Sequence, residues 1–346
     1  MHAIAIALFH VLSAAVADVP AGGDVAAALA RAAPGDVVRL GPGDHAGPLA
    51  IPPGVRVEGA GAAATRVVAP DGADAAMPAG DAELAALSLI ARPPRCALVV
   101  RKGTVRAEDV ALDGGTCGAR VEGGALEGAR VSARGAVALH VVAGALELVD
   151  AHLRGTSAGL AVHGGRAELR RAVVDGPFRE AAVTAEGGAT RLEGVVIRAP
   201  GPAGIAAEGG ATVEGVGIVV AGVGEVDGIP GACVQVRRAT LRIEGATLLA
   251  CGGAAVEAQG GTLTLSGMDA SGGVAGCLVL RGGRAELTGN ACAGHGPGLV
   301  LEDGARASLR MNRWWTDPVL WVDCGSGARA ALGAGELARA PCAGSP

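Results

Sequence analysis

Tyrosine is absent from this chain of 346 residues, and aromatic side chains amount to two Phe and three Trp. Sugar-binding grooves commonly use aromatic rings as platforms, so this scarcity counts against a polysaccharide enzyme. Lysine occurs once, at Lys102, and no basic block appears in a chain of net charge −5. Nucleic acid is therefore not an expected partner. No Cys-x-x-Cys pair exists and no histidines gather near the cysteines. That disfavours zinc, and neither a metal nor a cofactor is expected. Glycine is abundant, at 59 residues, but never recurs at every third position, which excludes collagen. No segment beyond residue 17 is apolar enough to span a membrane.

What the chain does contain is a repeated phrase ending in a double glycine. It reads Leu160-Ala-Val-His-Gly-Gly165, Val183-Thr-Ala-Glu-Gly-Gly188, Ile205-Ala-Ala-Glu-Gly-Gly210, Val256-Glu-Ala-Gln-Gly-Gly261 and Leu278-Val-Leu-Arg-Gly-Gly283. The period is about 20–23 residues and persists from about residue 96 to about 310. A fixed period of that size marks a stacked array, in which each unit buries its apolar face only against its neighbours.

Counting back from the second glycine gives the local structure. Five residues earlier stand Leu139, Leu160, Val183, Ile205, Val234 and Val256. Three residues earlier stand Val141, Val162, Ala185, Ala207, Val236 and Ala258. Residues between them are mostly polar, such as Arg120, His140, Thr184 and Gln235. This alternation predicts a short strand with one buried face. A second strand follows the turn, as in Thr262-Leu-Thr-Leu265, and ends at another glycine corner. A third apolar run follows, as in Val195-Val-Ile197. Three strands and three corners per unit spell a parallel β-helix. The unit length argues against the left-handed hexapeptide form.

The pattern resembles the right-handed parallel β-helix proteins of the pectate-lyase-like superfamily. The segment Gly23 to Gly43 is similar to that family's opening, a short capping helix, then Pro34-Gly-Asp36, then the first strand. Asp24 is the predicted helix N-cap. The resemblance covers roughly residues 20–315 and implies an all-β solenoid of eleven or twelve coils, about 50–55 Å long. It is specific for fold and not for activity, because the superfamily holds lyases, hydrolases, esterases, epimerases and adhesins.

Residues 3–17 are apolar and end in Ala15-Val16-Ala17 before Asp18, which reads as an export signal. A buried N-terminal strand or helix is the competing reading. The expected layout is a signal peptide at 1–17, a cap and first coil at 18–60, the β-helix at 61–315 and a C-terminal cap or tail at 316–346. In an exported chain eight cysteines favour disulfides. Cys96 and Cys117 share one register on consecutive coils, which suits a bridge. Cys233/Cys251, Cys277/Cys292 and Cys324/Cys342 are paired sequentially on looser grounds, with free thiols as the rival. The expected location is secreted or periplasmic, and the expected state a monomer.

Candidate chemistry is sparse. Galacturonan hydrolases of this superfamily carry an Asn-Thr-Asp, an Asp-Asp and a Gly-His-Gly. Only Gly294-His295-Gly296 has a counterpart here. Pectate lyases gather carboxylates around calcium, but Asp109, Asp113, Asp150, Asp175, Asp227 and Asp269 never share one column on adjacent coils. The best polar row lies two residues before the turn glycine, where His163, Glu186 and Glu208 fall on successive coils. They are the weak candidates for a general base or metal site. The competing reading is a solvated strand face, and the neighbouring Ala161 and Ala206 build no pocket. Phe178 is the one aromatic placed to serve the middle of the array. The leading expectation is a non-catalytic solenoid, structural or displaying a ligand such as a glycan or a cell-envelope component. The alternative is a lyase or hydrolase acting on acidic polysaccharide.

Overall fold

The structure is a computed structural model that describes residues 14–198, 201–226, 228–271, 275–294, 296–316, 320–322 and 327–332. It is an all-β parallel β-helix with one short α-helix. Three stacked faces run along it. Face A holds the strands that follow the Gly-Gly turn, face B the next strands, and face C the strands that lead back into the turn. Fourteen successive parallel pairings join fifteen strands on face A, from Val16–Val19 to Arg329–Leu332. Fourteen steps of roughly 4.8 Å make this face about 67 Å long.

The array is thus longer than the eleven or twelve coils the repeat suggests. The added coils lie mainly at the start, where Val37–Leu40 and Val55–Glu58 stack in register without any Gly-Gly corner. A search keyed to double glycine passes over them. Val16–Val19 lies parallel beside Val37–Leu40, so Val16 and Ala17 stand inside a strand. Residues 1–13, the bulk of the proposed signal, lie outside the described residues.

Inward columns form one continuous core. Leu139, Leu160, Val183, Ile205, Val234, Val256 and Leu278 are all essentially inaccessible, as are Val141, Val162, Ala207 and Leu280. Each such side chain contributes about 1.5–3 kcal/mol through burial. Phe178 is part of this core at 2% exposed. It therefore offers no platform on the surface, contrary to its loop-like sequence setting.

The corners explain the glycines. A Cβ on Gly165 would run into the carbonyl oxygen of Gly144 one coil below, and its φ of +73° is costly for other residues. The corner between faces A and B also turns through positive φ. Asp109, Arg130, Asp150 and Arg171 occupy it in four successive coils, before glycines take over at Gly194. The charges alternate and clamp one another. Arg130 donates to both carboxylate oxygens of Asp109 (2.6 and 2.9 Å), and Arg171 to both of Asp150 (2.8 and 2.9 Å). These aspartates are corner residues, not a calcium nest. Further along, Asn290 and Asn312 are buried beside the same corner. Asn312 Oδ1 accepts from the Asn290 backbone N–H and from its Nδ2, while each amide donates to a neighbouring carbonyl.

The helix Val25–Arg31 covers the first coils as expected. Asp24 accepts from the Ala27 N–H at 2.8 Å, and Val25, Ala28 and Leu29 are buried. At the other end Trp314 packs partly against the core, while Trp315 is 62% exposed. Three disulfides join Cys96 to Cys117, Cys233 to Cys251 and Cys277 to Cys292, with Cα separations of 4.5, 5.2 and 6.3 Å. Cys324 and Cys342 lie outside the described residues, as do Asp227 and His295. Among the described residues no helix is long and apolar enough to cross a membrane.

Candidate functional site

Outward residues of face C build the candidate site. The strands Ala181–Ala185, Ala203–Glu208 and Ala232–Arg237 lie side by side, with Thr184, Ala206 and Gln235 in one register. The next outward register holds Glu186 and Glu208, followed by Arg237. Together with Glu180 and Pro202, Thr184, Ala206, Gln235, Glu186 and Glu208 line a cavity of about 230 Å³, with Arg237 beside it. Ala206 and Ala203, far from leaving the face flat, are what open it. Methyl groups stand where longer side chains would fill the space between the rows.

The three sequence candidates all fall here. His163 Nδ1–H donates to Glu186 Oε2 at 2.7 Å. Glu186 and Glu208 both line the cavity. Glu208 also accepts from Arg237 Nη1 at 3.0 Å. Among the described residues no three His, Cys, Asp or Glu side chains are grouped so as to hold a metal ion.

One member was missed. His140 belongs to a different register from His163, yet their rings meet edge-on, with centroids 4.9 Å apart and planes at 72°. The two positions are diagonal neighbours on adjacent strands, Ser132–Val141 and His152–Val162, and two rings bridge that diagonal. His140 is half-buried, and its Nε2 has no hydrogen-bond partner. Burial holds its pKa below the ordinary value, and the charges of His163 and Arg120 push the same way. Glu180 was also missed, because it precedes its strand and has no place in the repeat.

Other histidines serve elsewhere. His45 is buried and bonds the Gly41 carbonyl oxygen at 2.8 Å. His152 lies on face B, where Nε2–H donates to Asp175 at 2.9 Å. The extra residues near 222–231 fold into a small antiparallel pair, Glu225–Val226 with Ile229–Pro230. They sit in the connection from face B to face C, one coil beyond the Pro202 edge of the cavity.

Solved structures share this parallel β-helix architecture. The catalytic domain of Agl-KA superimposes with a TM-score of 0.59 at 12% identity, over 89% of this chain. The chain spans 64% of that structure's length. DFA-IIIase from Arthrobacter chlorophenolicus A6, in complex with DFA-III, gives 0.50 at 12% identity, over 80% of this chain and 84% of the other. At such identity the likeness concerns the fold alone. No protein-family model matches the chain, and no curated protein sequence does.

Proposed function

We propose that the protein is an exported carbohydrate-active β-helix, a glycoside hydrolase whose site is the face C cavity. One observation carries this reading: Glu186 and Glu208, one coil apart, open into the same cavity with His163 bonded to the first. Glycoside cleavage needs two carboxyl groups, about 5–5.5 Å apart for retention and about 6.5–9.5 Å for inversion. Adjacent strands stand roughly 4.8 Å apart, and the flexible Glu side chains can set their carboxyl groups at or somewhat beyond that spacing. Glu186, hydrogen-bonded to His163, is one of the two carboxyl groups and serves as general acid when protonated. Glu208, fixed by Arg237, is the base or nucleophile. Thr184 and Gln235 orient sugar hydroxyls. The DFA-IIIase and Agl-KA folds support a carbohydrate partner. Three disulfides support a location outside the cytoplasm.

Charge narrows the substrate. Glu180, Glu186 and Glu208 face one small cavity, which repels a polyanionic chain and suits a neutral one. The acidic polysaccharide of the alternative lyase or hydrolase expectation suits this cavity less well than a neutral chain.

The test is reducing-sugar release from a panel of neutral glucans and fructans and uronic-acid polymers. Glu186→Gln and Glu208→Gln should each lower turnover by on the order of 10²–10⁴ without moving the unfolding temperature. Wild-type protein that binds a glycan from the panel yet cleaves none would favour the second reading, a non-catalytic glycan-binding solenoid. The ion pair between Glu208 and Arg237 and the lack of an aromatic ring in the cavity lining speak for that alternative.

A further inference from the structure

The geometry points to a second binding site, on face B, that holds the carboxylate or sulfate groups of an anionic glycan. Ten residues after the turn glycine, five successive coils present Asp113, Arg134, Arg154, Asp175 and Arg198 in one outward column. Arg134, Arg154, Asp175 and Arg198 line an open cleft of about 570 Å³. Gly135, Gly155 and Gly176 contribute bare backbone to its lining, and Thr156 and Pro177 complete it. A smaller cleft of about 150 Å³ adjoins it, shares Arg134 and Arg154, and adds Ser132 and His152.

The pairing leaves positive charge over. Asp175 is the one carboxylate in the larger cleft, and it is already used. It accepts from His152 Nε2 and from Arg154 Nε, both at 2.9 Å. Burial raises the pKa of Asp175, but these two partners outweigh it and hold the carboxyl ionised below its usual range. Arg154 spends its Nε on that bond, leaving its terminal nitrogens toward solvent. Arg134 comes no nearer than 3.9 Å to Asp113. Arg198 has no carboxylate partner among the described residues. Three guanidinium groups thus face one cleft against a single committed carboxylate, in a protein whose net charge is −5.

Guanidinium groups recognise carboxylate and sulfate through paired N–H donors. The strand step spaces Arg134 and Arg154 roughly 4.8 Å apart along the backbone, and Arg198 lies two steps further. A ligand with charges repeated along an extended chain matches that row better than a single small anion. No Phe, Tyr or Trp lines either cleft, so there is no large ring platform for successive nucleobases, and a polyanionic glycan is the better occupant. The site is independent of the face C cavity, whose carboxylates would repel the same ligand.

The experiment is isothermal titration of the full chain with four probes: a uronic-acid tetramer, a sulfated oligosaccharide of equal length, a neutral glucan oligomer and a single-stranded DNA oligomer. Arg134→Gln/Arg198→Gln is the variant, since neither side chain makes a close ion pair. Expected is binding of at least one anionic probe, weakened at least about tenfold by the double substitution. Binding should also weaken as salt rises and be unchanged in Glu186→Gln. The carboxylated and sulfated arms decide which group the cleft prefers. Equal binding of the neutral oligomer, no effect of the double substitution, or tighter binding of a single-stranded DNA oligomer would each overturn the proposal. Absence of hydrolysis by the wild-type protein, with face B binding present, would instead count against the face C reading alone.

Discussion

His140 shows how a single side chain responds to its position on a stacked surface. Its ring is half-buried, lies edge-on against His163, and leaves Nε2 unpartnered. Desolvation first, then the charges of His163 and Arg120, hold its folded pKa below that of the unfolded chain. In the interval between the two pKa values the unfolded state binds the proton and the folded state does not, so stability rises with pH. His140 therefore contributes fully above its unfolded value near 6.5, and its contribution falls as pH drops toward the folded value. Urea midpoints at pH 7.5 and 5.5 should differ more for wild type than for His140→Gln. An equal pH dependence in the two proteins would show that His140 does not titrate differently on unfolding. The alternating Asp109, Arg130, Asp150 and Arg171 corner is a second case at this scale. There, side chains at positive φ persist clasped in pairs across the coils, Asp109 by Arg130 and Asp150 by Arg171.

At the scale of the coil, the Gly-Gly corner is the element that repeats most faithfully. Gly165 sits so close over Gly144 that a methyl group has nowhere to go, and its φ adds to the strain. Gly165→Ala should cost about 2 kcal/mol or more, read as a lowered unfolding temperature. An unchanged temperature would mean that the corner moves apart freely. This steric demand is why the corner was legible in the sequence, together with the strand before it and both inward columns. Val37–Leu40 and Val55–Glu58 were not legible as coils, since their corners are turned by other residues. The site was half legible. His163, Glu186 and Glu208 declare themselves by register, but the cavity depends on what Ala203 and Ala206 lack, and on Glu180 outside the repeat. Diagonal contact between His140 and His163 is invisible to a column-by-column reading. The arginine row on face B does obey a register, ten residues past the turn glycine, where only the aspartates had drawn notice.

The whole molecule divides its charge by face. Face C gathers carboxylates around a small cavity, while face B turns guanidinium groups outward. A net charge near neutrality hides that division. Every coil leans only on its two neighbours, and each disulfide ties residues of neighbouring coils, closing loops of 21, 18 and 15 residues. Pulled by its two ends, such a stack unwinds like thread from a spool, coil after coil. The three cross-linked loops would stay shut and withhold their length. At about 3.4 Å per extended residue the withheld thread is about 180 Å in all. Single-molecule stretching should recover that length when a reductant is added, and an extension that ignores reductant would mean that the bridges are not formed. Under tension the described residues thus form a spring with three stops, each released by the redox state of its surroundings.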